Sequence, residues 1–364
     1  MKRIAVTGSG GFLGFHLKAA ARENGIEVLS IEVGDRFNLN DAVKKLKDVQ
    51  EVIHLAGVNR GSDSEVRDGN VLFATQIVEA ISQSDTVIER LAFANSIQSG
   101  NGSVYGSAKQ EAGNLLQDFT DKNEIRFNNI LLSNLFGEFG RPFYNSVVAT
   151  FCHKIASGEI PEVQDDKELT LLHAQNAADY LLGEIDSETV ENLSVKISVS
   201  GIKSLLLEFS ELYDKGEFPD ILSPFQRDLF NTYRSYLFPD HAPLAITRHA
   251  DSRGSFFEIV RSNGGTGQTS FSTTNPGITR GDHFHRRKVE RFTVLSGEAE
   301  ISLRKLFSTE TRVFRVSGEM PQSIDMPTFY THKIENIGNS TLYTAFWTND
   351  IFDPENPDTI VETV

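Results

Sequence analysis

The sequence contains little cysteine and has a deficit of positive charge. Its 364 residues include one cysteine, Cys152, which excludes an intrachain disulfide and favours a reducing compartment. We interpret Cys152 as a small buried residue rather than a nucleophile. The 50 acidic residues outnumber the 35 basic ones and give a formal net charge of -15. Because nucleic acids and anionic membranes both require a basic surface, neither is expected to be the main partner.

Long apolar runs are also missing. No uninterrupted apolar stretch approaches the length that spans a membrane, so no membrane insertion is expected. The first residues form a strand-like run instead of the basic, apolar and small-residue succession of a secretory signal. We therefore expect a soluble cytoplasmic protein. Its length exceeds the size at which a single core usually stops growing, which predicts two domains.

A glycine-rich turn follows the first predicted strand. Lys2 to Thr7 (KRIAVT) is a β-branched run typical of a buried parallel strand, and residues 15–23 have the pattern of a helix. Glycines between a strand and a helix let the backbone approach a pyrophosphate at the helix N-terminus. The turn therefore predicts a dinucleotide site that is formed by Gly8, Gly11, Phe12, Leu13 and Gly14.

The next two strands refine the cofactor prediction. Residues 28–33 (VLSIEV) end near the position that contacts the adenosine ribose, where an acidic side chain favours NAD and an arginine accepts a 2′-phosphate. Glu32 and Asp35 leave NAD as an alternative cofactor, but the adjacent Arg36 leads us to predict NADP(H). Another buried strand (VIHLAG) brings three residues to the cofactor: Leu55, Ala56 and Gly57. Strand and helix patterns alternate throughout this half, which predicts a Rossmann-type doubly wound parallel sheet.

A tyrosine and a lysine one helical turn apart mark the candidate reaction centre. Tyr105 and Lys109 share a helix face. An ammonium beside a phenol stabilises the phenolate and lowers its pKa, which makes it a proton donor and acceptor near neutrality. Residues 90–96 (RLAFANS) supply a further strand that ends in the hydroxyl of Ser96. With the glycine turn and the HLAG strand end, these residues resemble the extended branch of the short-chain dehydrogenase/reductase superfamily, which acts on nucleotide sugars.

That resemblance implies a role for each of these side chains. Ser96 polarises the substrate carbonyl, Tyr105 protonates it, and Lys109 holds the nicotinamide ribose and tunes the tyrosine. The strand end has a single serine after Asn95 where two serines are commoner, so Ser103 remains an alternative hydroxyl.

A substrate-binding stretch is expected after the catalytic helix. Residues 133–137 (SNLFG) resemble the Asn-x-aromatic-Gly element by which the extended branch meets the nicotinamide end and the sugar nucleotide, which implies Asn134 as a contact. Arg141, Tyr144 and Asn145 follow in a loop, and we predict that they clamp the sugar diphosphate, because guanidinium binds phosphate bidentately. An ordinary polar loop is the alternative.

The chain changes character near residue 239. Residues 179–237 show amphipathic helices that resemble the small substrate lobe of nucleotide-sugar reductases. Pro239 and Pro243 bracket a short polar piece that neither a helix nor a central strand tolerates. Beyond it the apolar pattern has period two, with glycine or polar turns, which predicts an all-β barrel of the jelly-roll type. We therefore predict two domains, at residues 1–238 and 239–364.

Four potential metal ligands occur in the second part. His283 and His285 project to one face of a predicted strand, Glu290 follows after a short turn, and His332 lies on another strand. Imidazoles with one carboxylate suit Zn, Fe, Mn or Ni, and zinc is the ion that we expect. Both segments resemble the two signature motifs of the cupin superfamily, although Phe329 stands where that family usually has glycine.

The same part also resembles the cupin-fold epimerases that act on 4-keto-6-deoxy nucleotide sugars. The likeness covers residues 251–258 and 268–284, and it implies Arg253 and Arg280 as substrate contacts.

The base of such an epimerase is not evident from the sequence. In those epimerases a histidine at the place of His283 removes the proton next to the keto group. Here three other ligand residues surround it, which suggests that His283 became a metal ligand and that another group is the base. Tyr330 and Lys333, which flank His332, are the candidates.

The order of the two domains resembles the bifunctional CapF family of capsular polysaccharide biosynthesis. The likeness extends over nearly the whole chain, including HLAGVNR, NLFG and both cupin motifs. It implies a UDP-4-keto-6-deoxy-HexNAc substrate, a UDP-2-acetamido-2,6-dideoxy-4-hexulose. The cupin domain would invert C3, and the reductase domain would then reduce the C4 ketone with NADPH. The implied product is a UDP-N-acetyl-L-talosamine, the precursor of UDP-N-acetyl-L-fucosamine, and the implied assembly is a homodimer.

Two alternatives from other classes remain. In the first, the protein is a simple nucleotide-sugar 4-ketoreductase whose cupin domain is a non-catalytic binding or dimerisation module. In the second, the whole protein is a non-catalytic sugar-nucleotide sensor, against which the register of Tyr105 and Lys109 argues.

Overall fold

The structure is a computed structural model, and it describes residues 2–246, 249–251, 254–256, 259–264, 267–350 and 353–364. Contacts divide the chain into two compact units. The first unit comprises Met1–Phe136, Gly140–Val147 and Lys167–Ser198, and the second comprises Gly137–Phe139, Val148–Asp166 and Val199–Val364.

The helices and strands follow in chain order. The α-helices are α1 (Phe12–Glu23), α2 (Leu39–Leu46), α3 (Asp63–Ser82), α4 (Val104–Lys122), α5 (Val147–Ala156), α6 (Ala174–Leu182), α7 (Ser187–Leu193), α8 (Val199–Asp214) and α9 (Pro224–Leu237). A short 3-10 helix spans Gly34–Arg36. The strands are β1 (Arg3–Thr7), β2 (Glu27–Ile31), β3 (Glu51–His54), β4 (Arg90–Ser96), β5 (Arg126–Leu132), β6 (Asn134–Phe136), β7 (Glu168–His173), β8 (Val195–Ser198), β9 (Glu217–Phe218), β10 (Leu244–Ala245), β11 (His249–Asp251), β12 (Gly254–Phe256), β13 (Arg261–Ser262), β14 (Gln268–Thr274), β15 (Thr279–Phe284), β16 (Glu290–Ser296), β17 (Glu298–Lys305), β18 (Thr311–Ser317), β19 (Gln322–Met326), β20 (Tyr330–Asn336), β21 (Leu342–Thr348) and β22 (Ile360–Val361).

Capping residues set several helix starts. Ser62 and Glu65 form a capping box at the start of α3, in which each side chain bonds the other residue's backbone amide. The Ser103 hydroxyl accepts a hydrogen bond from an amide in the first turn of α4. Ser223 caps α9, which begins with Pro224, a residue whose fixed backbone angle suits the first helical position.

The first unit contains the predicted parallel sheet. Its five strands lie in the order β2-β1-β3-β4-β5, and every neighbouring pair is parallel. Ile4 and Val6 pack into one apolar cluster with α1 and α6, whereas Ala5 packs into a second cluster with α2, α3 and α4. Both faces are therefore buried, as a Rossmann-like sheet requires. The order reverses between β1 and β3, which is where such sheets bind nucleotides.

The second unit is built around two antiparallel five-stranded sheets. Their orders are β10-β19-β16-β21-β14 and β18-β17-β20-β15-β22. Val294 and Ile324 of the first sheet share an apolar cluster with Ile301 and Ile334 of the second. The period-two pattern of this part is thereby confirmed as antiparallel strands, and closure into a jelly-roll barrel stays a prediction.

The helices α8 and α9 belong to the second unit. Arg291 on β16 bonds both carboxylate oxygens of Asp325 on β19, at 2.6 and 3.0 Å, and the Tyr213 hydroxyl of α8 donates to the same carboxylate. From α9, Arg234 donates to the carbonyl of Met326. Hydrogen bonds from Tyr213 and Arg234 thus attach both helices to the antiparallel sheet, and the expected role of this stretch as a substrate lobe stays a prediction. The domain boundary between residues 238 and 239 stays a prediction.

Among the helices that the structure describes, none combines the length and the apolar composition that crossing a bilayer demands.

Candidate active site and metal centre

The glycine turn brings the backbone of β1 against the loop after β3. Gly8 has a φ of +70°, and a Cβ atom there would lie 2.7 Å from the backbone nitrogen of Ala56. A Cβ atom at Gly14 would lie 2.4 Å from the carbonyl oxygen of Gly8. Both positions therefore require glycine. The turn leads into the first turn of α1, which contains no acidic residue, so an incoming pyrophosphate meets no like charge there.

A buried hydrogen bond fixes the neighbouring loop. Thr7 Oγ1 lies 2.7 Å from His54 Nδ1 and accepts the backbone N–H of Ala56. Burial, together with the charge of Lys109, lowers the pKa of His54 to about 3, so this ring is neutral. The contact holds Leu55, Ala56 and Gly57 beside the glycine turn, where the sequence predicts cofactor contacts.

Arg36 lies in the 3-10 helix that follows β2. Its guanidinium is 3.2 Å from the carboxylate of Glu32, and 81% of its side-chain surface is exposed. An exposed surface pair of this kind contributes little stability. Arg36 is therefore available to a ligand phosphate at little energetic cost, and its predicted role toward the 2′-phosphate stays a prediction.

Ser96, Tyr105 and Lys109 come together at the end of β4. The Ser96 hydroxyl is close enough to the Tyr105 phenol to lower its pKa, against the larger effect of burial. Lys109 Nζ donates to the carbonyl of Ala94 at 2.7 Å and lies 4.0 Å from the centre of the Phe93 ring. Burial lowers the pKa of Lys109 to about 7.

Burial has the largest influence on the Tyr105 phenol in this structure, and tuning by Lys109 stays a prediction. Burial raises the pKa of Tyr105, and only the Ser96 hydroxyl opposes it among the described residues. The Lys109 ammonium is directed to the Ala94 carbonyl and is itself desolvated.

The two candidate serines have different environments. Ser103 caps α4, since its oxygen accepts from Gly106 N while its hydroxyl donates to Asn101. Ser96 is half-buried, and its hydroxyl is close enough to Tyr105 to lower the pKa of the phenol. The geometry thus favours Ser96 over Ser103 as the hydroxyl next to the reacting group.

The predicted diphosphate loop is attached to the loop after β3. Arg60 donates from one nitrogen to the carbonyl oxygens of Phe143 and Tyr144, both at 2.9 Å. Asn145 donates to the carbonyl of Asn59 at 3.3 Å. The Tyr144 ring has two guanidinium carbons near it, that of Arg60 at 5.7 Å and that of Arg141 at 5.1 Å. This exposed pair of cations around one phenol ring suits an anionic ligand.

Arg60 was not among the predicted site residues. The signal for it is the VNR sequence directly after the HLAG strand end, but its hydrogen bonds go to backbone carbonyls, which no side-chain motif reveals. The side-chain amide of Asn134 donates a hydrogen bond to the carbonyl of Thr170 on β7. Its predicted contact with the substrate stays a prediction.

The four predicted metal ligands converge in the second unit. One donor atom from each of His283, His285, Glu290 and His332 lies within 4.8 Å of the others. Glu290 Oε2 is 3.1 Å from His285 Nε2 and 3.4 Å from His332 Nε2. His283 and His332 are direct partners across β15 and β20, with ring centroids 4.6 Å apart. Glu290 comes from the other sheet, so the cluster lies between the two sheets.

The charges of this cluster suit a cation. Burial opposes ionisation of Glu290, but His285 and His332 outweigh it and hold its pKa below the usual range. Burial lowers the pKa of His283 to about 4, and the other two imidazoles act in the same direction. For His285, Glu290 outweighs burial and raises the pKa. An ionised carboxylate beside a neutral imidazole is what metal binding requires.

A further observation supports the fit. Among the described residues, the buried His332 Nε2 has no well-aligned hydrogen bond. A nitrogen left in this state beside a carboxylate and two imidazoles is costly unless a cation occupies the space between them. The residues present therefore fit a divalent metal ion.

The turn before His332 keeps its shape without the usual glycine. Phe329 has a φ of +62° and is fully buried. Its N–H donates to the carbonyl of His285, and its carbonyl accepts from Leu306. The ring lies 6.4 Å from that of Phe139. We attribute the tolerance of this strained conformation to these contacts.

The remaining candidates lie around this cluster. Alternation along β20 places Tyr330 on the face of His332 and Lys333 on the opposite face. Burial raises the pKa of Tyr330 to about 12. Arg280 is exposed on β15. Arg253 lies outside the described residues, and its predicted role stays a prediction.

Two family descriptions match the chain. Residues 4–183 match the NAD dependent epimerase/dehydratase family, and residues 249–360 match the Polysaccharide biosynthesis C-terminal domain.

Relatives extend over the whole chain. The UDP-2-acetamido-2,6-beta-L-arabino-hexul-4-ose reductase of Pseudomonas aeruginosa is 31% identical over 366 residues, which covers 98% of this chain and 97% of that protein. The chain belongs to the CapF-type family of NAD(P)-dependent nucleotide-sugar epimerase/reductases. The crystal structure of the capsular polysaccharide assembling protein CapF from Staphylococcus aureus matches with a TM-score of 0.63 and 31% identity, covering 100% of both chains.

A second, shorter relative shares part of the CapF-type chain. The spore coat polysaccharide biosynthesis protein SpsL of Bacillus subtilis is 26% identical over 122 residues, 31% of this chain and 81% of that protein. The CapF-type resemblance drawn from the sequence motifs is confirmed.

Proposed function

We propose that this protein is a bifunctional enzyme of UDP-N-acetyl-L-fucosamine biosynthesis for a surface polysaccharide. Its C-terminal part, which we propose to be a zinc-binding cupin barrel, inverts C3 of a UDP-2-acetamido-2,6-dideoxy-4-hexulose. Its N-terminal part then reduces the C4 ketone to a UDP-N-acetyl-L-talosamine. The single observation that carries the proposal is that a four-donor cluster lies on the same chain as Ser96, Tyr105 and Lys109.

The reductase step uses the residues at the end of β4. NADPH supplies the hydride to C4 when it is bound at the glycine turn. The Tyr105 phenol donates its proton to the oxygen of the C4 ketone, and the neighbouring Ser96 hydroxyl polarises that carbonyl. Lys109 holds the nicotinamide ribose. Because burial lowers the pKa of Lys109 to about 7, its amine changes charge near neutrality. This suits it to replace the proton that Tyr105 gives to the ketone.

The inversion step depends on the acidity of the C3 hydrogen. A divalent ion, which we propose to be zinc, supplies positive charge that stabilises the oxygens of the sugar when the C3 proton leaves. His283, His285, Glu290 and His332 hold that ion and are thereby unavailable as the base. We propose that Tyr330, ahead of Lys333, takes the proton from C3, since only Tyr330 shares the face of His332, and that a solvent proton is returned to the opposite face of C3.

The order of the two steps follows from chemistry. The C3 hydrogen is acidic only while C4 is a ketone, so reduction makes the inverted centre permanent. Placing both steps on one chain raises the local concentration of the intermediate. The Pseudomonas aeruginosa relative is named as a reductase of a hexul-4-ose, which carries the ketone at C4, and this name supports the reductase half.

The remaining parts of the proposal concern the cofactor, the assembly and the location. We propose NADPH over NADH on the strength of Arg36, the exposed cation beyond β2. We also propose a cytoplasmic homodimer, which the family resemblance implies.

Proton exchange tests the proposal without the reductase step. The protein is incubated with the UDP-4-keto sugar in D2O in the absence of cofactor, and the sugar is followed by NMR. Deuterium at C3, followed by NADPH oxidation once cofactor is added, is the expected result. NADPH oxidation without deuterium at C3 would contradict it and favour a plain ketoreductase with a non-catalytic C-terminal module.

A further inference from the structure

The proposed metal ligands are held by a segment that the sequence does not single out. We call residues 358–364 the strap. Within it, β22 pairs antiparallel with β15, so that Val361 lies opposite His283 and Ile360 lies opposite Phe284. The strap therefore forms the strand next to β15, which carries His283, on the side away from β20.

The strap also binds the bulge that precedes His283. The register of β15 against β20 shifts between Gly281 and His283, which leaves Asp282 as the extra residue, with a φ of +59°. Glu362 N donates to the carbonyl of Asp282 at 3.0 Å, and Val364 N donates to its carboxylate at 3.1 Å. Both the carbonyl and the carboxylate of Asp282 thus accept hydrogen bonds from the strap.

Asp358 makes two different kinds of bond to the ligand turn. Its carboxylate accepts three successive backbone N–H groups, those of Arg286 at 3.0 Å, Arg287 at 2.8 Å and Lys288 at 2.8 Å. Its backbone carbonyl lies 2.5 Å from His285 Nδ1. A carbonyl oxygen only accepts, so Nδ1 carries the proton of this bond. Nε2, which lies 3.1 Å from Glu290 Oε2, is then the nitrogen that faces the cluster.

The strap is also bonded to Thr331, the residue before the third imidazole, His332. The Thr331 hydroxyl, adjacent in sequence to His332, donates to the carbonyl of Glu362. The Glu362 carboxylate is 3.0 Å from the guanidinium of Arg304 on β17. The same seven-residue segment is therefore bonded to β15, to the turn after it, and to the strand of His332.

We propose that the strap is the positioning element of the metal centre: the Asp358 carboxylate holds the turn from Arg286 to Lys288, and this turn keeps His285 Nδ1 on the Asp358 backbone carbonyl. This inference rests on the proposed metal function. Groups that accept the second N–H of a metal-bound imidazole orient the ring, and their loss typically weakens metal binding by about 10–100-fold. Asp358 is a positioning residue in this scheme, because it acts through His285 and does not contact the ion.

Two variants of Asp358 and one matched control test the role of the strap. Asp358→Asn replaces one acceptor oxygen by a donor that faces the turn amides, and Asp358→Ala removes the whole acceptor. Asp353→Asn makes the same charge change in the same tail, at an exposed carboxylate that accepts a hydrogen bond from the amide of Glu355. Zinc affinity is measured by competition with a fluorescent chelator. The Nδ1–H signal of His285 is read from the ring nitrogen shifts of metal-free, 15N-histidine-labelled protein.

The proposal expects one Nδ1–H signal of His285 in the wild type, bonded to the Asp358 carbonyl, and more than one in Asp358→Ala, where the released turn loosens that bond. It also expects zinc to bind about 10–100-fold more weakly to both Asp358 variants and equally well to Asp353→Asn. Unchanged affinity and an unchanged Nδ1–H signal in Asp358→Ala would overturn it, and so would an equal loss in Asp353→Asn. If the wild type itself binds no zinc, the proposed metal function fails, and the metal-free comparison of the Nδ1–H signal still decides whether Asp358 positions His285.

Discussion

A methyl group at Gly281 would lie 2.6 Å from the carbonyl oxygen of His332. Gly281 has a φ of +115° and directly precedes the bulged residue Asp282. The close approach lets β15 bend at the bulge and bring His283 opposite His332. The glycine in the GDHFH sequence therefore serves the geometry of the ligands as well as the turn.

Gly281→Ala is expected to weaken zinc binding by about tenfold or more, because the added Cβ atom forces β15 away from the backbone of His332. Gly277→Ala is the matched control. Gly277 also has a positive φ, +72°, but a Cβ atom there meets nothing within 4 Å. Both variants carry the backbone strain of about 1 kcal/mol, so a difference between their zinc affinities reports the steric effect. Equal affinities in the two variants would contradict this account of Gly281.

Arg36→Ala is expected to raise the KM for NADPH by about tenfold and to leave the KM for NADH unchanged, because a charge-assisted bond to the 2′-phosphate contributes about 1.5–3 kcal/mol. Initial rates with each cofactor check this prediction. Arg67→Ala removes an exposed cation from α3 and serves as the control. An unchanged ratio of NADPH to NADH use in Arg36→Ala would assign the cofactor preference elsewhere.

Arg60→Ala is expected to raise the KM for the nucleotide sugar by about tenfold with little change in kcat. The side chain donates to the carbonyls of Phe143 and Tyr144, so its loss frees the loop that presents Tyr144 to substrate. Steady-state kinetics at saturating cofactor measure the effect. A fall in kcat at constant KM would contradict the role in holding the loop, and Arg60→Lys is expected to recover part of the affinity.

Lys109 is expected to make the stability of the first unit depend on pH. Its folded-state pKa of about 7 is depressed from the ordinary 10.5, so between these values the unfolded chain binds more protons than the folded one. The destabilisation is therefore fully present below pH 7, and the free energy of unfolding rises with pH through this window.

Lys109→Met removes that dependence. From pH 7 to pH 9 the wild type is expected to gain about 2 kcal/mol relative to the variant, because a full proton difference contributes about 1.4 kcal/mol per pH unit. Urea unfolding of the cofactor-free proteins at several pH values measures the difference. Lys122→Met, an exposed position on the same helix, is expected to keep the wild-type dependence. Parallel curves for the wild type and Lys109→Met would contradict the depressed pKa.

The sequence predicts the parts of this protein that follow local rules. The close approach at Gly8 depends on glycine, the residue type that best tolerates this backbone conformation. The alternation around His283 and His285 likewise suits strands, and it places both imidazoles toward one cluster.

Long-range bonds explain what the sequence does not predict. The Tyr213 hydroxyl of α8 donates to Asp325, and Arg234 of α9 donates to the carbonyl of Met326, in each case a partner about a hundred residues away in the chain. Asp358 binds backbone amides near His285, and no spacing rule relates it to them. Partners of this kind depend on the tertiary fold, so periodicity and motifs carry no signal for them.

The most direct test of the central claim is deuterium incorporation at C3 of the 4-keto sugar by two variants in the same assay. Tyr105→Phe is expected to exchange C3 at the wild-type rate while its NADPH oxidation falls by about 10²–10⁴-fold. His332→Ala is expected to lose the exchange, and the exposed His241→Ala is expected to keep it. Loss of exchange in Tyr105→Phe, or its retention in His332→Ala, would contradict the assignment of inversion and reduction to separate parts of the chain.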